Sequence, residues 1–579
     1  MSSEFEVIGQ NTAALFTLKL HRGEGMTLLA MNWKSGTPPQ DFVGFAIEYK
    51  EPGGNKFFAV NNRLSFPGAS GEVNPNTLST RLSPIQKFRW VHFPRNAELA
   101  GEFVYMVTPV FMNAQDELSY GEAQQAAIEL RRETYPDQLN VTFTRGFVSS
   151  QAFVDRYGAD SIPSLLPPSA DAGLDFVPTN SKAAEALAWM GFEARSAILA
   201  VLDEAIADET AQVRAVVYDL NEPGMVSRFQ KLGTRLKIII DDDGAHGKSD
   251  SSETKAAKML SDSAGAENVK RQHLGKLQHN KTIVVDGPKV QAAVCGSTNH
   301  SWRGFFVQNN NAIILRGKSV VTVFLTTFSN YWENDNSVAG FSATASASWN
   351  DLGLNGIDAK IGFSPRSRTN AVLQAIADDI GNQTTSSLFF SLAFLYQTPG
   401  AIQNAVKKVK ADNTVFCYGI SDHQVKGIEG PETAGVDLQK PDGNVTLVHP
   451  SALTANVPEP FKSEPTGGGG TRMHHKFVVI DFDKPTARVY MGSYNFSSAA
   501  DISNGENLLL IRDRRIAVAY VVEALRIFDH YHFRVAQQAA QKAGEKLQLA
   551  KPPQKAEDQA WWAEDFTDAR KMRDRELFA

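Results

Sequence analysis

Cysteine is nearly missing from this 579-residue chain: only Cys295 and Cys417 occur, each in its own apolar run. Two thiols cannot build a disulfide framework for a chain of this length. That excludes the disulfide-rich secreted class and leads to the expectation of a reduced, cytoplasmic setting. Long apolar runs are missing too. No stretch reaches eighteen apolar residues, so no segment is expected to span a bilayer, and any membrane contact is expected to be peripheral. The opening MSSEFEVIGQNTAALFTLKL has no basic region followed by an apolar core, so a secretory leader is not expected. An excess of charge of either sign is also lacking. The 58 Lys and Arg stand against 64 Asp and Glu, a net charge of −6, which argues against a generally basic nucleic-acid binder while allowing a local basic groove. With 42% hydrophobic and 21% charged residues the chain is globular rather than disordered, and its length calls for two to four domains.

What is present changes character along the chain. Residues 1–148 carry short aromatic and β-branched runs (MTLLAMNWK, FVGFAIEYK, QKFRWVHF, EFVYMVTPVFM, LNVTFTRGFV) separated by turn formers such as SGTPPQ and EPGGN. This predicts an all-β sandwich of immunoglobulin or fibronectin III character, interrupted by a helix-like stretch, GEAQQAAIELRRE. Residues 149–180, rich in Pro, Ser, Ala and Asp, read as a linker. Beyond them helices alternate with buried strands. KAAEALAWMGFEARSAILAVLDEAIA, then QVRAVVYDL, RLKIIIDD and KTIVVDG, form one series, in residues 181–353. TNAVLQAIADDIGN, SSLFFSLAFL, GAIQNAVKKVKA, NTVFCYGI and HKFVVIDF repeat it in residues 354–579, which end in a helical tail. The tail's WWAEDF is expected to pack against the body.

The repeat carries chemistry. QHNKTIVVDG holds His279, Lys281 and Asp286, and MHHKFVVIDF holds His474, Lys476 and Asp481, each 195 residues after its counterpart. Side chains two apart on a strand share a face, so each His points the same way as its Lys. A Gly-Ser loop follows each triplet, GSTN with Ser297 and Asn299, and GSYN with Ser493 and Asn495. Backbone N–H, hydroxyl and amide donors of this kind suit an anion. Two imidazoles and two ammonium groups around such donors suit a phosphate, one imidazole attacking phosphorus and the other protonating the leaving oxygen.

HNKTIVVD…GSTN and HHKFVVID…GSYN resemble the paired HxKxxxxD signatures of the phospholipase D superfamily, over roughly residues 181 to 535. The resemblance implies two similar α/β halves in a pseudo-twofold body facing one active site, a covalent phosphohistidine, and no metal or other cofactor. It makes His279 and His474 the nucleophile and acid pair, with Lys281 and Lys476 on the phosphate, and it gives Asp286 and Asp481 the task of orienting imidazoles. Glu506, in NGENLLLI, matches an acidic residue common in the family, whereas the same offset places Asn310 opposite it in the first half. Taken to serve its own half, Glu506 makes His474 the acid and His279 the nucleophile. The expected substrate is a phosphodiester, a phospholipid first and a nucleic acid second. A catalytically silent phosphate-binding module is the contrasting class.

Four other features receive structural readings. DDDGAH, Asp241 to His246, is expected to be a solvated strand-end loop. GGGG, Gly467 to Gly470, just before the second triplet, is expected to be a mobile loop. His475 is expected on the strand face opposite His474, and WRGFF, Trp302 to Phe306, in the core.

Overall fold

A computed structural model describes residues 4–68, 78–130, 133–146, 153, 156–366, 369–412, 414–421, 425, 446–448, 473–542, 547–555 and 558–579. The Gly467–Gly470 run lies outside them. The chain divides into two compact units, one made of the described residues up to 130 and from Val518 onward, the other of those from Glu133 to Ala517.

In the first unit, strands Glu6–Ile8, Phe16–Arg22, Thr27–Trp33 and Arg89–His92 form one antiparallel sheet in that order. Leu118–Tyr120, Glu102–Met112, Phe42–Lys50 and Phe58–Ala59 form a second. Alternate residues of the two sheets, among them Phe16, Leu18, Phe45, Ile47, Phe103 and Tyr105, meet in one apolar core, as period-2 patterning requires. The stretch read as helix-like is instead the strand Gln124–Glu129, paired with Glu102–Met112. Gln124, Ala126 and Ile128 alternate inward along it, a period of two that its Ala and Gln content masks. The tail tryptophans do pack. Trp562 joins this core, and Trp561 donates its indole N–H to the Phe42 carbonyl at 3.0 Å and stacks on Phe88.

The strand Leu139–Phe143, expected to close the amino-terminal domain, belongs to the second unit, where it pairs with Asn311–Arg316 at the edge of a mixed sheet. That sheet runs Leu139–Phe143, Asn311–Arg316, Gln291–Gly296, Thr282–Asp286, Gln212–Val217, Leu236–Ile240, Val269–Arg271. A second mixed sheet begins with Asn350–Asp351 and then repeats the order: Asp358–Ser364, Glu506–Arg512, Arg488–Gly492, Lys476–Ile480, Ser387–Leu392, Phe416–Ile420, Thr446–Val448. Parallel and antiparallel pairings fall at matching positions in both. Helices such as Ala183–Ala207, Lys318–Glu333, Ala371–Gln383 and Ala401–Lys410 accompany the strands, which explains why TIVV and FVVI are continuously apolar: both strand faces are buried. The segment read as a linker is packed rather than free. Leu165 and Leu166 are buried, and the Trp302 indole donates to the Gly173 carbonyl at 2.9 Å. No helix among the described residues is long and apolar enough to cross a membrane.

Candidate active site

Each histidine immediately precedes a central strand, and the loop that follows the neighbouring strand is turned by a glycine. Gly296 (φ 130°) and Gly492 (φ 145°) lie in the left-handed region, and a Cβ on Gly296 would sit 2.6 Å from the Asn311 carbonyl oxygen. These turns bring the two sheets' residues together. The His279 and His474 ring centroids are 6.4 Å apart, at an interplanar angle of 73°. Both side chains are nearly buried, as are Lys281 and Lys476.

The orienting partners cross between halves. His279 Nδ1 lies 2.8 Å from Glu506 Oε2, and His474 Nδ1 lies 2.8 Å from Asn310 Oδ1. The expectation that Glu506 serves its own half is therefore overturned. A carboxylate can only accept, so His279 donates from Nδ1 and keeps its lone pair on Nε2. Asn310 Nδ2 donates to the Gly304 carbonyl at 3.0 Å, which leaves Oδ1 as the acceptor for His474. The Gly-Ser hydroxyls fix these partners. Ser297 Oγ donates to Asn310 Oδ1 at 2.9 Å and Ser493 Oγ donates to Glu506 Oε2 at 2.7 Å. Each hydroxyl also accepts a backbone N–H, from Asn311 and Asn507, at 3.0 Å. Ser297 and Ser493, expected to touch substrate, are thus fully buried and committed to holding Asn310 and Glu506.

Neither aspartate orients an imidazole. Seven residues of extended chain separate each from its histidine, roughly 20 Å at the rise of a strand. Among the described residues Asp286 accepts from Gln291 Nε2, at 3.3 Å. Asp481, buried and at φ 52°, accepts from the backbone N–H groups of Thr385 (2.9 Å), Ser386 (2.8 Å) and Ser387 (3.2 Å), and so anchors the start of the neighbouring strand.

Both ammonium groups fold back on the preceding histidine's carbonyl, Lys281 at 2.5 Å and Lys476 at 2.8 Å. Lys281 also lies over the Tyr218 ring at 4.7 Å, and Lys476 over Phe394 at 5.4 Å. Burial lowers the Lys281 pKa to about 8, and burial together with the Lys281 charge holds Lys476 well below its ordinary value. Burial likewise lowers His279, with Glu506 opposing the shift. His474 falls much further, because burial is reinforced by both lysines, by His279 and by Arg303. Ammonium groups held at this cost are ready for an anion, whose arrival restores their charge.

DDDGAH is solvated only in part. Asp241 is completely buried, and its Oδ1 accepts the Gln278 N–H at 2.6 Å, one residue before His279. His246 bridges two carboxylates, Nδ1 to Asp241 Oδ2 at 2.8 Å and Nε2 to Asp219 Oδ1 at 3.1 Å. Burial opposes its charge, but the two carboxylates outweigh it and raise its pKa to about 10. Asp219, His246 and Glu253 bring their ligand atoms within 4.8 Å of one another, and Glu253 accepts the Leu220 N–H at 3.1 Å. Asn299 Nδ2 donates to Asp219 Oδ2 at 2.7 Å, whereas Asn495 is partly exposed and its Oδ1 is without a partner. Tyr218 packs edge-on between His246 (4.5 Å) and His279 (4.7 Å). Half-buried Arg303 acts electrostatically on both His474 and Asp219. Sequence reasoning missed Tyr218, Asp219 and Arg303. The polar YD that ends the apolar run of QVRAVVYDL was the available signal for the first two, and Arg303 was hidden in WRGFF, whose aromatic residues are indeed core. His475 is buried against Phe143 and Phe477, facing away from the site.

A family model described as the PLD-like domain of cardiolipin synthase matches residues 207–332 and 382–528, the two segments that carry this geometry. These two matched segments are those of the phospholipase D superfamily. The chain is similar to a protein named phospholipase D from Rickettsia felis, 44% identical over 48 residues, which is 8% of this chain and 22% of that protein's length. Among solved structures it is similar to phosphatidylserine synthase of Haemophilus influenzae Rd KW20 (11% identity, TM-score 0.40, 59% of this chain and 85% of that one). It is also similar to polyphosphate kinase from Porphyromonas gingivalis (9% identity, TM-score 0.39, 84% and 74%).

Proposed function

We propose that this chain is a phosphodiesterase that works through a covalent phosphohistidine, with a phospholipid as substrate. The observation that carries the reading is the crossed pair of imidazoles, 6.4 Å apart, each with its Nδ1 satisfied and flanked by a buried lysine. That spacing suits one phosphorus with its attacking and leaving atoms in line. His279 Nε2 attacks phosphorus, the P–O bond to the alcohol breaks, and His474 gives its Nε2 proton to the departing oxygen. His474 takes up that proton when the anionic phosphate binds beside it. A water oxygen then attacks phosphorus, His474 removes its proton, and the P–N bond electrons return to His279. An alcohol in place of that water makes the same site a transferase.

Glu506 decides the assignment. Attack by His279 turns a neutral imidazole into a phosphoimidazolium, and the carboxylate stabilises charge that appears during the step. Opposite the acid it would resist a charge that disappears. The nucleophile is thus the residue expected from sequence, but for the opposite reason. The two lysines supply the positive charge around the phosphate, so no metal is needed. The two mixed sheets are taken as pseudo-twofold halves, and the amino-terminal sheets as an immunoglobulin or fibronectin III-like sandwich. The test is one pure preparation assayed at physiological salt on phospholipid vesicles, single-stranded DNA and duplex DNA, with labelled substrate quenched in alkali. Release of the lipid headgroup with label on the His279 peptide supports the reading. Cleavage of DNA alone moves the substrate class to nucleic acid, and no cleavage of any diester ends the proposal.

A further inference from the structure

We propose that Asp219, Asn299 and His300 form a subsite that selects phosphodiesters whose alcohol carries a further hydroxyl group. The inference rests on the phosphodiesterase reading and adds the chemistry of the substrate's alcohol. It begins with the relay Asp241–His246–Asp219, which ends on Asn299. Because a carboxylate only accepts, Asp219 fixes the Asn299 amide with Nδ2 toward itself. Asn299 Oδ1 then has no partner, although the residue is only 4% exposed. His300, 1% exposed, has no partner on either ring nitrogen. Burial keeps it neutral, with a pKa lowered to about 3, and both Lys281 and Asp219 are near enough to act on it. A neutral imidazole offers one N–H and one lone pair.

The unmet groups beside Lys281 are therefore two acceptors and one donor, next to an Asp219 carboxylate that is 19% exposed. Buried polar atoms are met in native sites, by protein, ligand or water. A phosphate oxygen cannot fill this set, because it only accepts, and a methyl group can fill none of it. A hydroxyl donates and accepts at once and fits. The arrangement is one-sided. In the second half Lys476 lies over the apolar Phe394 ring, and no side-chain hydrogen bond ties Asn495 to a carboxylate among the described residues. Asn495 is left to the phosphate, while Asn299 is turned toward the alcohol.

The test compares two ligands of equal charge, dihexanoylphosphatidylglycerol and dihexanoylphosphatidylmethanol. Binding is read by calorimetry on the full chain carrying His279→Gln, and kcat/KM on the unsubstituted chain. A site built to pair a hydroxyl rejects the analogue without it, so the glycerol diester should be favoured about tenfold or more in both readings. Asn299→Ala should bring the ratio below about threefold. His300→Phe, which leaves the Asp219–Asn299 bond intact, gives an independent second route to the same loss. A ratio within threefold in the unsubstituted chain overturns the subsite, as does a ratio that survives in both variants. Cleavage without discrimination defeats the subsite and spares the phosphodiesterase reading. Discrimination in binding without cleavage of any diester does the reverse.

Discussion

Replacing Glu506 with Gln isolates the charge from the geometry. The carboxylate accepts from His279 Nδ1 (2.8 Å), Ser493 Oγ (2.7 Å) and Asn504 Nδ2 (3.2 Å). A glutamine Oε1 in the place of Oε2 keeps the first two. Its Nε2 would face the Asn504 amide, whose own Oδ1 has no partner, so a flip of Asn504 turns a donor clash into a hydrogen bond. The His474–Asn310 pair shows that a neutral amide holds an imidazole at the same 2.8 Å. The substitution should therefore leave folding nearly intact and remove one negative charge.

Its kinetic effect follows from the charge that forms on His279. At about 4 Å and an effective dielectric near 20, a full positive charge opposite a carboxylate is worth about 4 kcal/mol. With half the charge developed at the transition state the loss is about 2 kcal/mol, a roughly 30-fold slower formation of the adduct, rising to about 1,000-fold if the charge is complete. Single-turnover quenching of labelled substrate, followed by peptide mapping, measures it. A fall of less than about fivefold, or label on the peptide containing His474, would refute the reasoning.

Activity should survive EDTA, and complete loss restored by a divalent ion would remove the lysine-based scheme. His279→Ala and His474→Ala should each lower turnover by several orders of magnitude without unfolding the chain, and the double variant should fall far short of the product of the two effects, because both serve one transition state. Sulfate binding should weaken, by up to tenfold per pH unit, as pH rises through about 8, where Lys281 loses its proton in the empty site. Calorimetry on Lys281→Arg should show no such inflection. Asp481→Ala should cost roughly 3 kcal/mol in chemical denaturation by leaving three backbone N–H groups unmet, whereas Asp286→Ala should cost under about 1 kcal/mol.

The repeat was legible because its signals are local. A His and Lys two apart before an apolar run, and a glycine needed for a positive-φ turn, are readable in one copy and convincing in two. The amino-terminal strands were legible by their alternation, except Gln124–Glu129, where Ala and Gln gave a helical composition to a period of two. What could not be read is what the tertiary fold alone decides. Leu139–Phe143 looks like any other strand, and only its partner Asn311–Arg316 assigns it to the catalytic unit. The DDDGAH carboxylates look solvated because acidic runs usually are. The burial of Asp241 depends on His246, whose charge offsets its own, and on Gln278, whose N–H it accepts. The aspartates of the two triplets misled through regularity. They recur because strand ends recur, and they sit at the wrong ends to reach an imidazole.

Crossed partners also give a consequence to one of the positions at which the two copies differ, Asn310 against Glu506. Backbone bonds tie the halves at the site, His474 N–H to the Asn309 carbonyl at 3.0 Å and Gly505 N–H to the Leu277 carbonyl at 2.8 Å. Asn507 Nδ2 adds a third, to Asn280 Oδ1 at 2.8 Å. In a symmetric site with two Glu-like partners both imidazoles would be equally basic, and either could take the phosphoryl group. Once each partner serves the opposite histidine, a single change in one copy differentiates the pair. A carboxylate in the second half makes the first histidine the better bearer of positive charge, and an amide in the first half leaves the second histidine a proton it gives up readily. In the proposed mechanism Asn310 is then not a decayed acid but the residue that sets the direction of the reaction.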